Sequence, residues 1–163
     1  MIEIIAAITK PEFKIISELA SKIWTEHYIK LIGPTQVEYM LNKFQSEVAI
    51  ENQVIEGFRY FIAYYDKIPV GYLSFIKKDD SLFLSKIYVL SSERGKGVGK
   101  TMMEFLLQKA VEMHLKSISL TVNKNNTAAI KAYEKMGFAN IESIVINIGG
   151  GYVMDDFKMI KSL

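Results

Sequence analysis

The order of apolar and polar residues predicts alternating strands and helices along the chain. Short runs rich in β-branched and aromatic residues are typical of strands, and they lie at Ile2–Ile8, Phe58–Tyr65, Val70–Lys77, Leu82–Leu90, Ser117–Val122, Phe138–Ile148 and Tyr152–Ile160. Apolar residues at helical spacing predict helices over Phe13–Tyr28, Gln36–Phe44, Ser46–Ile55, a segment after Gly99 that reaches Val111, and Asn126–Met136. This order predicts a mixed α/β fold.

Residues that favour turns separate these elements. Thr9-Lys10-Pro11-Glu12 has the features of a helix start, with a proline in the first turn and an acid after it. Gly57 and Gly137 are placed to end helices. Asp66–Pro69 and Asp79–Ser81 are predicted turns. Because these turns are short, the three strands between Phe58 and Leu90 are expected to form an antiparallel meander.

Length and composition exclude several classes of protein. The 163 residues fit a single domain, expected over residues 1–163, and the absence of cysteine excludes disulfides and thiolate chemistry. The net charge of +2 is small for a general nucleic-acid binder. No apolar run approaches the ~20 residues that cross a bilayer, and no basic segment at the start suggests a signal peptide. We expect a cytoplasmic protein without nucleic-acid or membrane partners, and its two separated histidines predict no metal site.

The most informative segment is a glycine-rich, basic loop between a predicted strand and a predicted helix. It reads Arg94-Gly95-Lys96-Gly97-Val98-Gly99-Lys100-Thr101. Glycines allow positive φ and let the backbone approach an anion closely. The start of the following helix offers free N–H groups and the positive end of the helix dipole. With its three basic side chains, the loop predicts a phosphate or pyrophosphate site.

Two well-known phosphate loops do not fit this segment. The nucleoside-triphosphate loop requires a glycine five residues before its Gly-Lys-Thr, but Arg94 lies five residues before Gly99. The dinucleotide fingerprint requires a third glycine, and Lys100 occupies that position. A nucleotide-hydrolysing protein is therefore a weak alternative, which a lack of ATP binding would dismiss.

A second motif gives the loop its context. The loop fits Arg/Gln-x-x-Gly-x-Gly/Ala through Arg94, Gly97 and Gly99, and Asn126–Phe138 contains an Asn, an apolar stretch and then Tyr-Glu-Lys-x-Gly-Phe. With both motifs in this order and a predicted strand between them, the chain resembles the GNAT superfamily of acyl-CoA-dependent N-acetyltransferases. The resemblance is close from Leu82 to Phe138. It implies the GNAT fold: a mixed, mostly antiparallel, six- to seven-stranded twisted sheet flanked by helices.

The resemblance also implies where acetyl-CoA, the expected cosubstrate, would bind. In the family, the loop binds the pyrophosphate and backbone N–H groups near the end of the preceding strand hold the thioester carbonyl. The implied cofactor-binding residues are Ile87, Tyr88, Val89, Arg94, Gly95, Lys96, Gly97, Val98, Gly99, Lys100, Thr101, Asn123 and Asn126. Asn126 and Tyr133 are seven positions apart, which places both on one helical face about 10 Å apart along the axis. Tyr133 is the implied catalytic residue, a general acid near the coenzyme A sulfur.

The acceptor side is less determined by the sequence. In the family, the N-terminal helices and closing strands shape it, and the implied substrate-binding residues are Trp24, His27, Tyr28, Ser85, Tyr152 and Asp155. Aromatic walls with carboxylates suit a cationic amine, which weakly favours a polyamine-like acceptor. An equally good interpretation places Trp24 and Tyr28 in a core-facing helical stripe. Asp155 and Asp156 alternate along a strand, so at most one of them faces a cleft.

The general base is left open by the sequence. Many family members carry a glutamate on the strand before the loop, but Leu82–Leu90 contains no carboxylate. Ser85 could position a water instead, and Glu26, His27 and Asp155 are other candidates.

The predicted activity is transfer of an acetyl group to a primary amine of a small molecule or peptide, by direct attack in a ternary complex. A non-catalytic acyl-CoA-binding regulatory module is the alternative, and a homodimer is compatible with the expected apolar faces.

Overall fold

The computed structural model describes residues 1–163, and it contains every predicted strand and helix. The strands are β1 (Ile2–Ala7), β2 (Arg59–Tyr65), β3 (Ile68–Lys78), β4 (Ser81–Val89), β5 (Ser117–Asn123), β6 (Ala139–Gly149) and β7 (Tyr152–Ser162). The helices are α1 (Lys10–His27), α2 (Ile29–Ile32), α3 (Pro34–Phe44), α4 (Glu47–Glu56), α5 (Val98–Glu112) and α6 (Thr127–Lys135). The strands are hydrogen-bonded in the order β1-β2-β3-β4-β5-β7-β6. The predicted mixed α/β class is therefore confirmed, with seven strands.

The chain divides into two compact units, and β4 contributes to both. The first unit comprises Met1–Ile76 and Lys86–Leu106, and the second comprises Lys77–Ser85 and Leu107–Leu163. In the first unit, β1 pairs with β2 and β2 with β3, both antiparallel. In the second, β5 with β7 and β6 with β7 are antiparallel, whereas β4 and β5 run parallel. The sheet is thus mostly antiparallel, as predicted.

Helix α1 shows how the sequence builds the first unit. Its start is a capping box in which Glu12 Oε1 accepts the Thr9 backbone N–H at 3.0 Å and the Thr9 hydroxyl at 2.6 Å. One face is buried, through Phe13, Ile16, Leu19, Ala20, Ile23 and Trp24. These are the apolar positions whose spacing predicted the helix, so the predicted face is the one that packs.

Two local features differ from the predicted elements. The turn expected over Asp66–Pro69 is shorter, because Asp66 and Lys67 both have positive φ, 47° and 69°, and make a two-residue turn. Pro69 instead lies inside β3, opposite Tyr64 at a register shift, where a strand tolerates a residue without an N–H. The one-turn helix α2 was not predicted. None of the six helices is long and apolar enough to cross a membrane.

Candidate active site

The glycine loop lies in the first unit, between a 3₁₀ turn at Ser91–Glu93 and α5. Gly95 and Gly97 have φ of +80° and +82°, and a Cβ added at Gly95, Gly97 or Gly99 would meet no atom within 4 Å. The backbone is therefore both bent and open to a ligand. Helix α5 begins at Val98, so the first-turn N–H groups that follow Gly97 have no intrahelical acceptor.

The N-terminal end of helix α5 is held by a buried side chain and by two hydrogen bonds. The Val98 side chain is only 1% exposed. Gly97 O accepts both the Thr101 backbone N–H at 3.0 Å and the Thr101 hydroxyl at 2.9 Å. The amides at the start of the helix are thus fixed in orientation. Their free N–H groups are preorganised hydrogen-bond donors that suit an anion.

The basic side chains of the loop reach solvent. Arg94 and Lys100 are exposed. Lys96 Nζ lies 2.6 Å from Glu93 Oε2 and 5.1 Å from the centroid of the Tyr65 ring. The hydrogen bond to Glu93 raises the pKa of Lys96 above its usual value. All three side chains are therefore positive charges near an open, amide-rich bend, which fits a polyanionic group.

The segment before the loop is held by contacts within the first unit. Ser91 Oγ donates to Glu26 Oε2 at 2.6 Å, which ties the last turn of α1 to the start of the loop. Leu90 N donates to Val70 O at 2.8 Å. At Gly71, an added Cβ would come within 2.4 Å of Tyr88 O, so only glycine permits this approach of β3 to β4. The end of β4 is thus fixed by its neighbours.

An aromatic cluster surrounds Tyr88 and includes three of the predicted acceptor-side residues. Trp24 lies 4.8 Å from Tyr28 and 5.6 Å from Tyr88, measured between ring centroids, and Tyr88 lies 5.5 Å from Tyr72. His27 contacts Tyr28 at 4.8 Å. Trp24 is 5% exposed, as the core-stripe interpretation expected. The structure brings Trp24, His27, Tyr28 and Tyr88 together.

A polar network beside this cluster was missed by sequence reasoning. Gln53 Oε1 accepts the Tyr60 hydroxyl and Lys86 Nζ, the latter at 3.1 Å. The Tyr72 hydroxyl donates to Gln45 Oε1 at 2.8 Å. Burial lowers the pKa of Lys86 to about 8. The only sequence signal was the lysine in an otherwise apolar strand.

The second unit contains the other motif. Asn123 Oδ1 accepts the Asn125 N–H at 2.9 Å, and Asn126 is the N-cap of α6, with its Oδ1 3.4 Å from Ala129 N. The side-chain amide oxygens of Asn123 and Asn126 therefore stabilise the turn and the start of α6. Tyr133 is half-buried on α6, and its ring packs edge-on against Phe138 at 5.7 Å.

The two aspartates of β7 lie in different surroundings. Asp155 is exposed, and its Oδ1 is 2.7 Å from Lys124 Nζ. Asp156 is 3% exposed, and desolvation together with the Asp155 charge raises its pKa to about 6. Tyr152 begins β7, and Ser85 follows the last β4 residue that pairs with β5. Sequence alternation separated the two aspartates but did not indicate which one is buried.

The chain thus contains a glycine-rich basic loop at a helix start, a second motif on a tyrosine-bearing helix, and a mixed, mostly antiparallel sheet. Residues 18–138 match the model of the Acetyltransferase (GNAT) family. The chain belongs to this family.

Two curated relatives and one solved structure show how far the similarity extends. Spermine/spermidine N(1)-acetyltransferase of Bacillus subtilis is 34% identical over 62 residues, 37% of this chain and 41% of that protein. An uncharacterized N-acetyltransferase of Mycobacterium tuberculosis is 30% identical over 102 residues, covering 62% and 65%. The matches thus span less than two thirds of either relative. PaiA N-acetyltransferase of Thermoplasma acidophilum, solved with coenzyme A, has a TM-score of 0.83 at 18% identity, covering 100% and 99%. That likeness concerns the fold.

Proposed function

We propose that this protein transfers an acetyl group from acetyl-CoA to a primary amine. The observation that carries the proposal is the loop from Arg94 to Thr101. Its backbone bends through two positive-φ glycines, no side chain or backbone fills the space beside them, and a helix start follows directly. Such a bend with three basic side chains suits the pyrophosphate of coenzyme A. The match of residues 18–138 to the GNAT family supports the same ligand.

The chemistry assigns separate tasks to the chain's residues. A free alkylamine has a pKa of about 10.4, so at pH 7 only about one molecule in 2,500 is neutral, and the protein has to accept a proton from it. Backbone N–H groups near Val89 stabilise the negative charge that develops on the thioester oxygen. Tyr133 gives a proton to the departing sulfur. Because a thiol has a pKa near 8.5, this donation assists a fairly good leaving group.

A small cationic amine is the acceptor class that we favour. Tyr28 and Tyr88, the half-buried members of the aromatic cluster, offer ring faces that attract an alkylammonium group. The local similarity to a spermine/spermidine acetyltransferase supports a polyamine-like acceptor over a peptide. Because Trp24 is buried in the core, few exposed side chains remain to distinguish one amine from another. We therefore propose a class of acceptor and not a single compound.

The test is release of the coenzyme A thiol from acetyl-CoA in the presence of polyamines, aminoglycosides, amino acids and short peptides. We expect amine-dependent release, greatest with spermidine or spermine, and a mass increase of one acetyl group on the acceptor. Acetyl-CoA that raises the melting temperature without turnover of any acceptor would contradict the enzyme. That result would favour a regulatory acyl-CoA-binding module.

A further inference from the structure

We propose that Asp156 is the general base that accepts the proton of the acceptor amine. The inference rests on the proposed function and deepens it, because β4 has no carboxylate and the base was otherwise unassigned. Asp156 is in the middle of β7, in the second unit, and its side chain is almost fully buried.

Strand register places Asp156 beside the point where β4 and β5 stop pairing. The parallel ladder ends with Leu84 opposite Leu120, and Ser85 and Thr121 are the next residues on the two strands. Asp156 is the β7 partner of Asn123, and Thr121 is the partner of Lys158. Because cross-strand partners share a face and side chains alternate, Ser85, Thr121 and Asp156 lie on the same face. A carboxylate from β7 therefore lies on the face of the sheet where β4 presents Ser85 and no carboxylate.

The neighbours of Asp156 suit a group that exchanges a proton near neutral pH. Desolvation and the charge of Asp155 favour the protonated form, while the Thr121 side chain and the Lys124 ammonium favour the carboxylate. Its partner on β6, Ile144, is apolar. Lys158 lies one step along the same face of β7, opposite Glu142. The opposing influences leave a carboxyl that is ionised at pH 7 but basic enough to accept a proton.

The proton balance of the step is complete. Asp156 takes one proton from the acceptor ammonium, and the neutral nitrogen forms a bond to the thioester carbonyl carbon. The carbon–sulfur bond breaks, and the sulfur leaves with a proton from Tyr133, which recovers one from the acylated nitrogen. Asp156 then returns its proton to solvent. One ammonium and one thioester give one amide, one thiol and one released proton.

The experiment measures kcat/KM between pH 5 and 9 for wild type and Asp156→Asn, with spermidine or the best amine of the panel. For wild type we expect a rise to about pH 6 and a plateau above it. Asp156→Asn should be slower at pH 7 by about 10²- to 10⁴-fold. Its rate should keep rising about tenfold per pH unit to pH 9, because only the free amine then reacts. Asp156→Glu should restore part of the rate.

Asp80→Asn is the matched control, since it makes the same chemical change at an exposed carboxylate in the same unit. It should keep the wild-type profile. Carbon-13 NMR of the labelled carboxyls supplies a readout without acceptor: a resonance with a midpoint near pH 6 should vanish in Asp156→Asn. Equal acetyl-CoA affinity would show that the variant is folded.

Two results would overturn the assignment. If a folded Asp156→Asn variant keeps the wild-type rate and pH profile, Asp156 is not the general base, and the proposed acetyltransferase activity still stands. If the Asp156 carboxyl titrates with a midpoint near pH 4, it is too weakly basic for the proposed role. Absence of turnover by wild type with every amine instead defeats the proposed function, and the base role with it.

Discussion

Tyr133 is the residue whose chemical role is most directly testable. Tyr133→Phe keeps the ring that packs against Phe138 and removes only the hydroxyl. We expect kcat to fall by about 10²- to 10⁴-fold, the usual effect of losing a general acid, with little change in acetyl-CoA affinity. Tyr64→Phe, a matched change on β2, should leave kcat as it is. An unchanged kcat in Tyr133→Phe would assign proton donation to another group.

Lys86 makes a prediction about stability and pH. Burial lowers its pKa in the folded protein to about 8, below the value of about 10.4 in an unfolded chain. Between these values the unfolded state binds more protons, so wild-type stability rises with pH. Relative to Lys86→Met, wild type should gain roughly 1 to 3 kcal/mol in unfolding free energy between pH 7 and pH 10. Urea unfolding at both pH values measures the gain.

The control for this measurement is Lys22→Met, which removes an exposed lysine on α1. It reports the general effect of losing one positive charge. If the difference in unfolding free energy between wild type and Lys86→Met is the same at pH 7 and pH 10, the ammonium of Lys86 is well solvated in the folded protein.

The sequence singled out candidate functional residues only where a motif with fixed spacing contained them. The loop glycines and Tyr133 stand in motifs, so the sequence alone names them. The buried Asp156 and the partly buried Lys86 have no such signal. Alternation separates Asp155 from Asp156, but the side that is covered depends on the pairing of β7 with β5 and β6. That pairing is a long-range property.

At the scale of elements, we propose that the loop and the start of α5 bind an anion together. Gly97→Ala places a methyl group in the open bend and forces an alanine to φ near +82°. We expect acetyl-CoA to bind at least tenfold more weakly, by calorimetry, with kcat less affected than KM. The reason is that the side chain obstructs close approach of the phosphate to the backbone.

Gly33→Ala is the matched control for the loop. Gly33 has φ of +85° and equally open surroundings, but it lies between α2 and α3. Both variants force an alanine to a positive φ, near +82° at Gly97 and +85° at Gly33, and only Gly97→Ala changes the loop. Equal losses of acetyl-CoA affinity would mean that strain, and not obstruction, explains the effect.

Elements were predictable where their periodicity was long. All seven strands and the five longer helices were placed within a few residues, because apolar spacing and glycine or proline breaks define them. The one-turn helix α2 is too short to show a period. The turn at Asp66 and Lys67 places two non-glycine residues at positive φ, and lysine has no preference for that region. The residue at which the β4–β5 ladder ends is likewise set by strand pairing.

For the whole molecule, the comparisons identify the family and not the substrate. The family match covers residues 18–138, which includes the loop and the Tyr133 helix. The N-terminal part of α1 and the strands β6 and β7 lie outside it, and these include Tyr152, Asp155 and Asp156. Of the predicted acceptor-side residues, Tyr152 and Asp155 therefore lie outside the family match, whereas Trp24, His27, Tyr28 and Ser85 lie inside it. Activity assays with a panel of amines are the means of identifying the acceptor.

The two compact units should nevertheless unfold together. Ser81–Ser85 of β4 belongs to one unit and Lys86–Val89 to the other, so loss of either unit releases half of a continuous strand. We expect urea to give one midpoint for Trp24 fluorescence, which reports the first unit, and for hydrogen-exchange protection of β7, which reports the second. Acetyl-CoA at 100 times its Kd should shift both by the same amount, about 2.7 kcal/mol. Separate midpoints, or a shift of the Trp24 transition alone, would show that the units fold independently.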